Sequence, residues 1–467
     1  MEICDKYLDD ARKALKGSMF SKPDTAEAIR SFEGAAQCFE NFKNFERAAQ
    51  CYLDTVNFII KSDPLKAADL LERAALCTEK VGGDPHEYHL KSADIYRDRA
   101  ISMYRTNPEQ GLQLLQKAAE NYEKGGDRET SIQCYEVGAE ASMKRKDYLN
   151  ALVFYGAVAQ NYERRKKYKE AVKYYHKVAK LWDLQNVPEN VAENYGRMAL
   201  SLRTLEEYEY ASEFFIKAAE KYEEARKMFE SSKSYQEAAS TYESQGDMKH
   251  AAATYEKAAE IIKLLKNNDK YEELMEKAAE CFSESGEIRK AVDLHLLLAD
   301  TFTDDQYRCN KHFTTAISYA EFDPSLKVKL LKQQGDALLQ SHDYFNAAKC
   351  YVEAAEVSEQ LDESPVEFYK KAGDTSVKYA ESMIKVRNQP RAKEGFAQAT
   401  EYYEKAEMPD EIKKIKKLSE SGSNERKSQI LKELERLKED MEKGYLPSPT
   451  YNQMKEGYEQ LLQHIRK

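Results

Sequence analysis

Apolar positions along this chain return with helical spacing and do not alternate as they would in strands. The densest example is residues 235–260, YQEAASTYESQGDMKHAAATYEKAAE, where a large side chain is followed three residues on by alanine and four further by tyrosine. Tyr235, Ala238 and Tyr242 make one copy, and Met248, Ala251 and Tyr255 the next. Such offsets put all three on one stripe of a 3.6-residue helix, where the small alanine lets a neighbouring helix approach between two large anchors. The triplet recurs as Phe45/Ala48/Tyr52, Tyr148/Ala151/Tyr155, Tyr168/Ala171/Tyr175, Tyr208/Ala211/Phe215, Ile288/Ala291/His295 and Tyr344/Ala347/Tyr351, at intervals from 13 to 103 residues. This uneven spacing predicts antiparallel helix pairs of variable length, stacked so that each pair contacts mainly its neighbours.

Several copies continue into a second small-residue step, as in Phe215-Ile-Lys-Ala218-Ala219, Tyr255-Glu-Lys-Ala258-Ala259 and Tyr351-Val-Glu-Ala354-Ala355. These steps resemble the second helix of a tetratricopeptide repeat, although the Trp-Leu-Gly opening and the closing proline of that repeat are absent. Turn signals fall at Ser62–Pro64, Gly82–Pro85, Thr106–Pro108, Gly125–Asp127, Asn186–Pro188, Asn267–Asp269, Asp304–Asp305, Asp323–Pro324, Asp362–Pro365 and Gln389–Pro390, each pairing a helix stop with a helix start. About twenty helices result by this reading. The predicted fold class is all-α: a tetratricopeptide-like α-solenoid over residues 1–418, a linker SESGSN at 419–424, and a C-terminal helical hairpin at 425–467. The hairpin stripes are Ile430, Leu434, Leu437 and Met441, then Tyr451, Met454, Tyr458, Leu461, Leu462 and Ile465, separated by Gly444 and Pro447. This tail resembles short helical-hairpin modules appended to prokaryotic proteins. Forty residues barely bury a core of their own, so self-association or docking is expected of it.

Composition fits long solvated helices with aromatic seams: 33% of residues are charged, tyrosine reaches 32, glycine is 18 and proline 11. No apolar window is long enough to span a membrane, and the start MEICDKYLDD lacks the basic and apolar regions of a signal peptide, so the expected location is the cytosol. The eight cysteines include no CxxC pair. Cys38, Cys51, Cys134, Cys281 and Cys350 each precede an aromatic at a small-residue position and read as core thiols, in preference to metal or disulfide use.

Sites of chemistry are sparse. His86 and His89 lie three apart but lack the HExxH spacing and read as exposed helix-start histidines; the other six histidines are scattered. Gly82-Gly83 and Gly125-Gly126 precede no GKS or GKT and are not phosphate loops. No catalytic, cofactor-binding or metal-binding residue is assigned, and no cofactor is expected.

Charge is the exception. The net charge is −10, yet residues 144–180 carry 11 lysines and arginines against three acids. Lys144, Arg145 and Lys146 fall at one predicted turn and Arg164, Arg165, Lys166 and Lys167 at the next, while Lys169 and Lys173 continue along the following helix. Two readings stand: a solvated face balanced by acids on adjoining helices, or an electropositive strip that attracts an acidic partner and speeds encounter. Nucleic acid fits poorly with the overall acidity. Met19 and Phe20, in a loop between Gly17 and Pro23, read by themselves as apolar side chains tucked against the first helices.

Residues 1–60 give the nearest likeness. A first helix, a short apolar loop, then Ala28, Phe32, Ala35, Ala36 and Phe39 on one helix followed by Phe45-Glu-Arg-Ala48-Ala49-Gln-Cys-Tyr52 resemble the start of the soluble NSF attachment proteins, particularly the gamma type. The resemblance implies a non-catalytic adaptor that binds a helical SNARE bundle through the basic strip, touches membrane through Met19 and Phe20, and recruits an AAA ATPase. In that family the chain ends soon after the solenoid in an acidic, leucine-bearing terminus; here extra helices and a hairpin follow and close on Gln463-His-Ile-Arg-Lys467. The competing expectation is a general tetratricopeptide-like protein-interaction scaffold, unrelated to membrane fusion, that dimerises through the hairpin.

Overall fold

Turn chemistry organises the chain before any long-range contact does. From Gly126 to Gly286 a left-handed residue ends a helix every twenty residues, at Gly126, Lys146, Lys166, Asn186, Glu206, Arg226, Gly246, Lys266 and Gly286. The closure is of Schellman type: the Asp147 N–H donates to the Ser142 carbonyl at 2.9 Å and the Lys146 N–H to that of Met143 at 3.0 Å. The next residue caps the following helix. Asp127, Asp147 and Asp247 accept from the backbone N–H of Thr130, Asn150 and His250, so three residues serve as stop, corner and start. A non-glycine residue in the left-handed region costs about 1–2 kcal/mol, a strain that these six tolerate and that hides the turn from a search for glycine.

The computed structural model describes residues 2–16 and 23–466, with side chains throughout except at 419–426 and 464–466. Among the described residues there are twenty-two helices and no strand. The chain divides into two compact units. The first, residues 1–268, holds α1 (Glu2–Lys16), α2 (Thr25–Asn41), α3 (Phe45–Ile59), α4 (Pro64–Lys80), α5 (His86–Met103), α6 (Pro108–Lys124), α7 (Arg128–Lys144), α8 (Tyr148–Arg164), α9 (Tyr168–Leu184), α10 (Pro188–Thr204), α11 (Tyr208–Glu224), α12 (Met228–Gln245) and α13 (Met248–Leu264). The second, residues 269–467, takes in α14 (Asn268–Glu284), α15 (Ile288–Thr301), α16 (Gln306–Tyr319), α17 (Pro324–Gln340), α18 (Tyr344–Gln360), α19 (Val366–Lys385), α20 (Gln389–Lys405), α21 (Pro409–Glu442) and α22 (Ser448–Arg466). Within the first unit each helix packs on the next in sequence, and the same holds from α15 to α22 in the second. The protein is an all-α, tetratricopeptide-like solenoid.

Packing follows the same period as the turns. Ala119, Ala139, Ala159, Ala179, Ala199, Ala219, Ala239 and Ala259 stand twenty apart in the first unit, all with no solvent exposure, and Ala279 and Ala299 continue the series in the second. Four residues before them sit the large anchors Tyr135, Tyr155, Tyr175, Phe215, Tyr235 and Tyr255, all buried. Helices of variable length were expected; from α6 to α14 they are 17 or 18 residues long on a fixed period instead. The triplet search missed that period because it mixed two registers. Met248 opens α13, whereas Tyr235, Ala238 and Tyr242 run from the middle of α12 towards its end.

The alanines of the triplets are nonetheless core residues. Ala48, Ala151, Ala171, Ala211, Ala238, Ala251, Ala291 and Ala347 are all fully buried. Glycine takes over where a ring comes closer still: a Cβ on Gly138 would lie 2.6 Å from Phe154 Cε1, and one on Gly373 would lie 2.8 Å from Tyr403 Cε1.

A buried phenol needs a partner for its hydroxyl, and for many of them a carboxylate of a nearby helix supplies it. Tyr52 donates to Glu40 Oε2 at 2.7 Å, Tyr96 to Asp69 at 2.5 Å, Tyr122 to Asp94 at 2.5 Å, Tyr175 to Glu163 at 2.5 Å, Tyr351 to Asp336 at 2.6 Å and Tyr403 to Asp374 at 2.5 Å. Burial, reinforced by these carboxylates, raises the phenol of Tyr52 to about 12 and pushes Tyr96, Tyr122, Tyr175, Tyr351 and Tyr403 above their ordinary value as well.

Three expectations need correction. Cys38 is not a free thiol: Cys4 of α1 and Cys38 of α2 face each other with Cα atoms 5.4 Å apart and form a disulfide, a pairing across 34 residues that local spacing cannot reveal. Cys51, Cys134 and Cys281 are buried and free, and Cys350 is free and half-buried. His89 is not exposed; it is buried with Nδ1 2.9 Å from Asn121 Oδ1, while His86 does stay at the surface against Asp84. Residues 419–424 are helical, since α21 runs unbroken for 34 residues through a stretch whose lysines and glutamates outweigh one glycine. Beyond it α21 and α22 turn back on each other at Gly444, joined by a hydrogen bond from Tyr458 to Glu433 at 2.6 Å.

The tyrosine network carries a pH signature. Native phenols are raised above the value near 10 that unfolded tyrosine has, so the unfolded chain sheds protons first and stability falls as pH rises through 10 towards 12. Helicity followed by circular dichroism is expected to hold up to about pH 10 and collapse cooperatively above it, with tyrosinate absorbance rising in step. Early ionisation of most tyrosines with helicity intact would contradict the network.

Candidate functional site

The basic residues picked out in the sequence divide into two groups at opposite ends of one helix. Lys144 ends α7, Arg145 caps it and Lys146 takes the left-handed corner; Arg164, Arg165 and Lys166 repeat those roles at the end of α8, and Lys167 opens α9. A helix of 17 residues is about 25 Å long, roughly three Debye lengths at physiological salt, so the two turns act as separate fields. The larger group is the second. Lys169 and Lys173 lie one helical turn apart on α9 and carry the charge away from the corner along that helix, followed by Lys177 and Lys180.

Neutralisation decides between the two readings of this charge. Arg164 is paired, its Nη1 2.6 Å from Glu123 Oε1 of α6. Lys144, Arg145, Lys146, Arg165, Lys166, Lys167, Lys169 and Lys173 make no salt bridge among the described residues, and all but half-buried Arg165 are exposed. A face balanced by acids of adjoining helices would have paired them. Aromatic rings border the second group: Lys177 Nζ is 4.5 Å from the Tyr174 ring and 4.7 Å from that of Tyr155, and Tyr174 stacks on Tyr162 with centroids 5.6 Å apart. His176 on the same helix has its pKa lowered by burial and then by Lys180 and Lys217, which registers the positive field.

Met19 and Phe20, the residues expected to meet a membrane, lie outside the described residues. Among the described residues no helix is long and apolar enough to cross a membrane.

One constellation escaped the sequence reading, which treated the histidines as scattered. Glu272 and Glu276 of α14, His295 of α15 and His312 of α16 converge in the second unit. Burial, then the neighbouring His312, lowers the His295 pKa to about 4; burial likewise lowers that of His312, against the pull of Glu272 and Glu276. Burial thus disfavours the charged form of both rings. The Glu-x-x-x-Glu step was visible on α14, but its meeting with histidines 19 or more residues away depends on three helices folding against one another.

Comparison with known proteins places this geometry. The family model described as "Soluble NSF attachment protein, SNAP" matches residues 4–195 and 189–363. None of the curated proteins compared matches the chain. Among solved structures, apo RapI is similar at 14% identity and TM-score 0.33 over 81% of this chain and 98% of its own. A kinesin light chain-like repeat protein of Podosopora anserina is similar at 17% identity and TM-score 0.29 over 39% and 90%, and the TPR2AB domain of yeast Sti1 at 19% and 0.26 over 58% and 98%. With two matched segments spanning most of its length, the chain belongs to the soluble NSF attachment protein family.

Proposed function

We propose that this protein is an adaptor that holds an acidic, SNARE-like helical bundle against the basic face of α8 and α9 and recruits an AAA ATPase to it. Family membership and the repeat fold make it a helical-repeat protein-interaction adaptor. The observation that carries the finer reading is the unpaired charge at Arg165, Lys166, Lys167, Lys169 and Lys173, bordered by stacked tyrosines. Exposed unpaired cations raise the rate of encounter with an acidic surface, and tyrosine rings beside them add contact area once the partner is seated. Met19 and Phe20 add a weak membrane contact in this reading, too small alone for stable attachment.

Charge reversal tests the docking face. A quadruple variant Lys166→Glu, Lys167→Glu, Lys169→Glu and Lys173→Glu changes exposed side chains only, so its helicity and melting are expected to match the parent. Its affinity for an assembled four-helix SNARE complex is expected to fall at least tenfold, and the parent's affinity to weaken steadily as salt is raised. Equal affinity of the two proteins would return the chain to a general scaffold. Liposome flotation addresses the other contact: Met19→Ser with Phe20→Ser is expected to abolish flotation on neutral vesicles, and unchanged flotation would remove the membrane role.

A further inference from the structure

A buried cluster in the second unit has no part in the docking face. Glu272 and Glu276 are four residues apart on α14, so both carboxylates leave the same side of that helix. His312 of α16 is fully buried and meets them there, with His295 of α15, 3% exposed, behind it. One oxygen of each glutamate and one ring nitrogen of His312 lie within 4.8 Å of one another. His312 Nε2 is 3.2 Å from Glu272 Oε1 but is not aligned to bond it, and is left without a hydrogen-bond partner. Its Nδ1 is 3.2 Å from His295 Nδ1.

The geometry points to a binding site for one divalent cation of the zinc or cobalt type, ligated by Glu272, Glu276 and His312 Nε2, with His295 as the residue that orients the His312 ring. Three protein ligands drawn from imidazole and carboxylate leave a fourth position for water, an open site and not a closed structural one. The 3.2 Å between His312 Nε2 and Glu272 Oε1 is close to the edge of a tetrahedron with bonds of roughly 2.0–2.1 Å, which is about 3.3 Å. When His312 donates from Nδ1–H to His295 Nδ1, its Nε2 lone pair is left toward Glu272 Oε1, the tautomer a metal requires, while Glu276 Oε1 stands 3.9 Å from Nδ1 and closes on the ion from the side. Without a cation that lone pair would confront Glu272 oxygen directly.

The place is contested by a lysine. Lys311 Nζ reaches Glu276 Oε1 at 2.6 Å and Glu272 Oε1 at 3.2 Å, holding the positive charge that a metal would bring. Its side chain is 43% exposed, so it can turn into solvent as the cation enters. Arg308 Nη1, 3.2 Å from the other oxygen of Glu272, can stay and steady the ligating carboxylate from outside. Binding is thus an exchange of an ammonium for a metal ion, and removal of the ammonium should favour the metal.

The test uses the full chain, freed of metal by chelator and titrated with Co2+, with Zn2+ affinity read by competition against a chromophoric chelator. The parent is expected to take up one equivalent of Co2+ with a visible d–d band. Glu276→Gln, a near-isosteric change at a partly exposed residue, is expected to weaken Zn2+ binding by about tenfold or more, and His312→Gln to weaken it likewise if it folds. Lys311→Met is expected to tighten binding by a similar factor, an effect that a purely structural lysine would not produce. A parent with no d–d band, bands of the thiolate charge-transfer kind that place the ion on cysteine, or equal affinities in parent, Glu276→Gln and Lys311→Met would overturn the site.

Discussion

Two helices can lie close together only where the residue between them is small, and in this chain that residue is an alanine set every twenty positions. Ala119 to Ala259 form an uninterrupted series of fully buried methyl groups, and each leaves room for a large anchor such as Tyr155 or Phe215 to fill the seam. Alanine loses no side-chain entropy on burial, and the ring beside it provides the dispersion contacts that many small groups would otherwise have to share. Gly138 and Gly373 extend the same logic to the closest approaches, where even a methyl group would collide with a ring. Length of helix and length of turn are then fixed together: seventeen residues to bring the next notch level, three to reverse direction.

That constraint leaves other surfaces free to vary. A turn residue such as Lys146, Lys166 or Glu206 has to accept a left-handed backbone but keeps its side chain in solvent, so charge can be placed at the helix ends without cost to the seam. The basic face of α8 and α9 uses that freedom. The buried polar groups are less free. Tyrosine hydroxyls such as those of Tyr52, Tyr122 and Tyr403 are tied to a carboxylate of another helix, which holds neighbouring helices in register and satisfies a buried donor. The cluster of Glu272, Glu276, His295 and His312 belongs to the same interior chemistry, with histidines where the rest of the stack has tyrosine and leucine.

The all-α class and the burial of the triplet alanines could be read from offsets of three and four residues, because those offsets are local and the helix repeats them faithfully. Aspartate and proline turns were equally visible, at Asp63-Pro64, Asn107-Pro108 and Asp323-Pro324. The fixed period was not. Its corners are lysine, asparagine, glutamate and arginine more often than glycine, and its column is one alanine among the many of a helical chain. Of the candidate site, the positions of Lys144–Lys146 and Arg164–Lys167 at turns were legible from charge and helix length. Their separation by a helix length, the single pairing of Arg164 with Glu123, and the tyrosines around Lys177 required the fold. The Cys4–Cys38 bond and the histidine pair lay beyond sequence reading for the same reason: residues that touch across helices leave no mark in local spacing.

The claim that the alanine column sets the spacing of the helices is tested most directly by one pair of substitutions. Ala219 is fully buried in the column and Glu220 beside it is exposed, so the same leucine side chain is placed at neighbouring positions in opposite surroundings. In chemical denaturation, Ala219→Leu is expected to lose about 1–3 kcal/mol of stability from overpacking while Glu220→Leu stays within about 0.5 kcal/mol of the parent. Equal stability of the two variants would contradict the account.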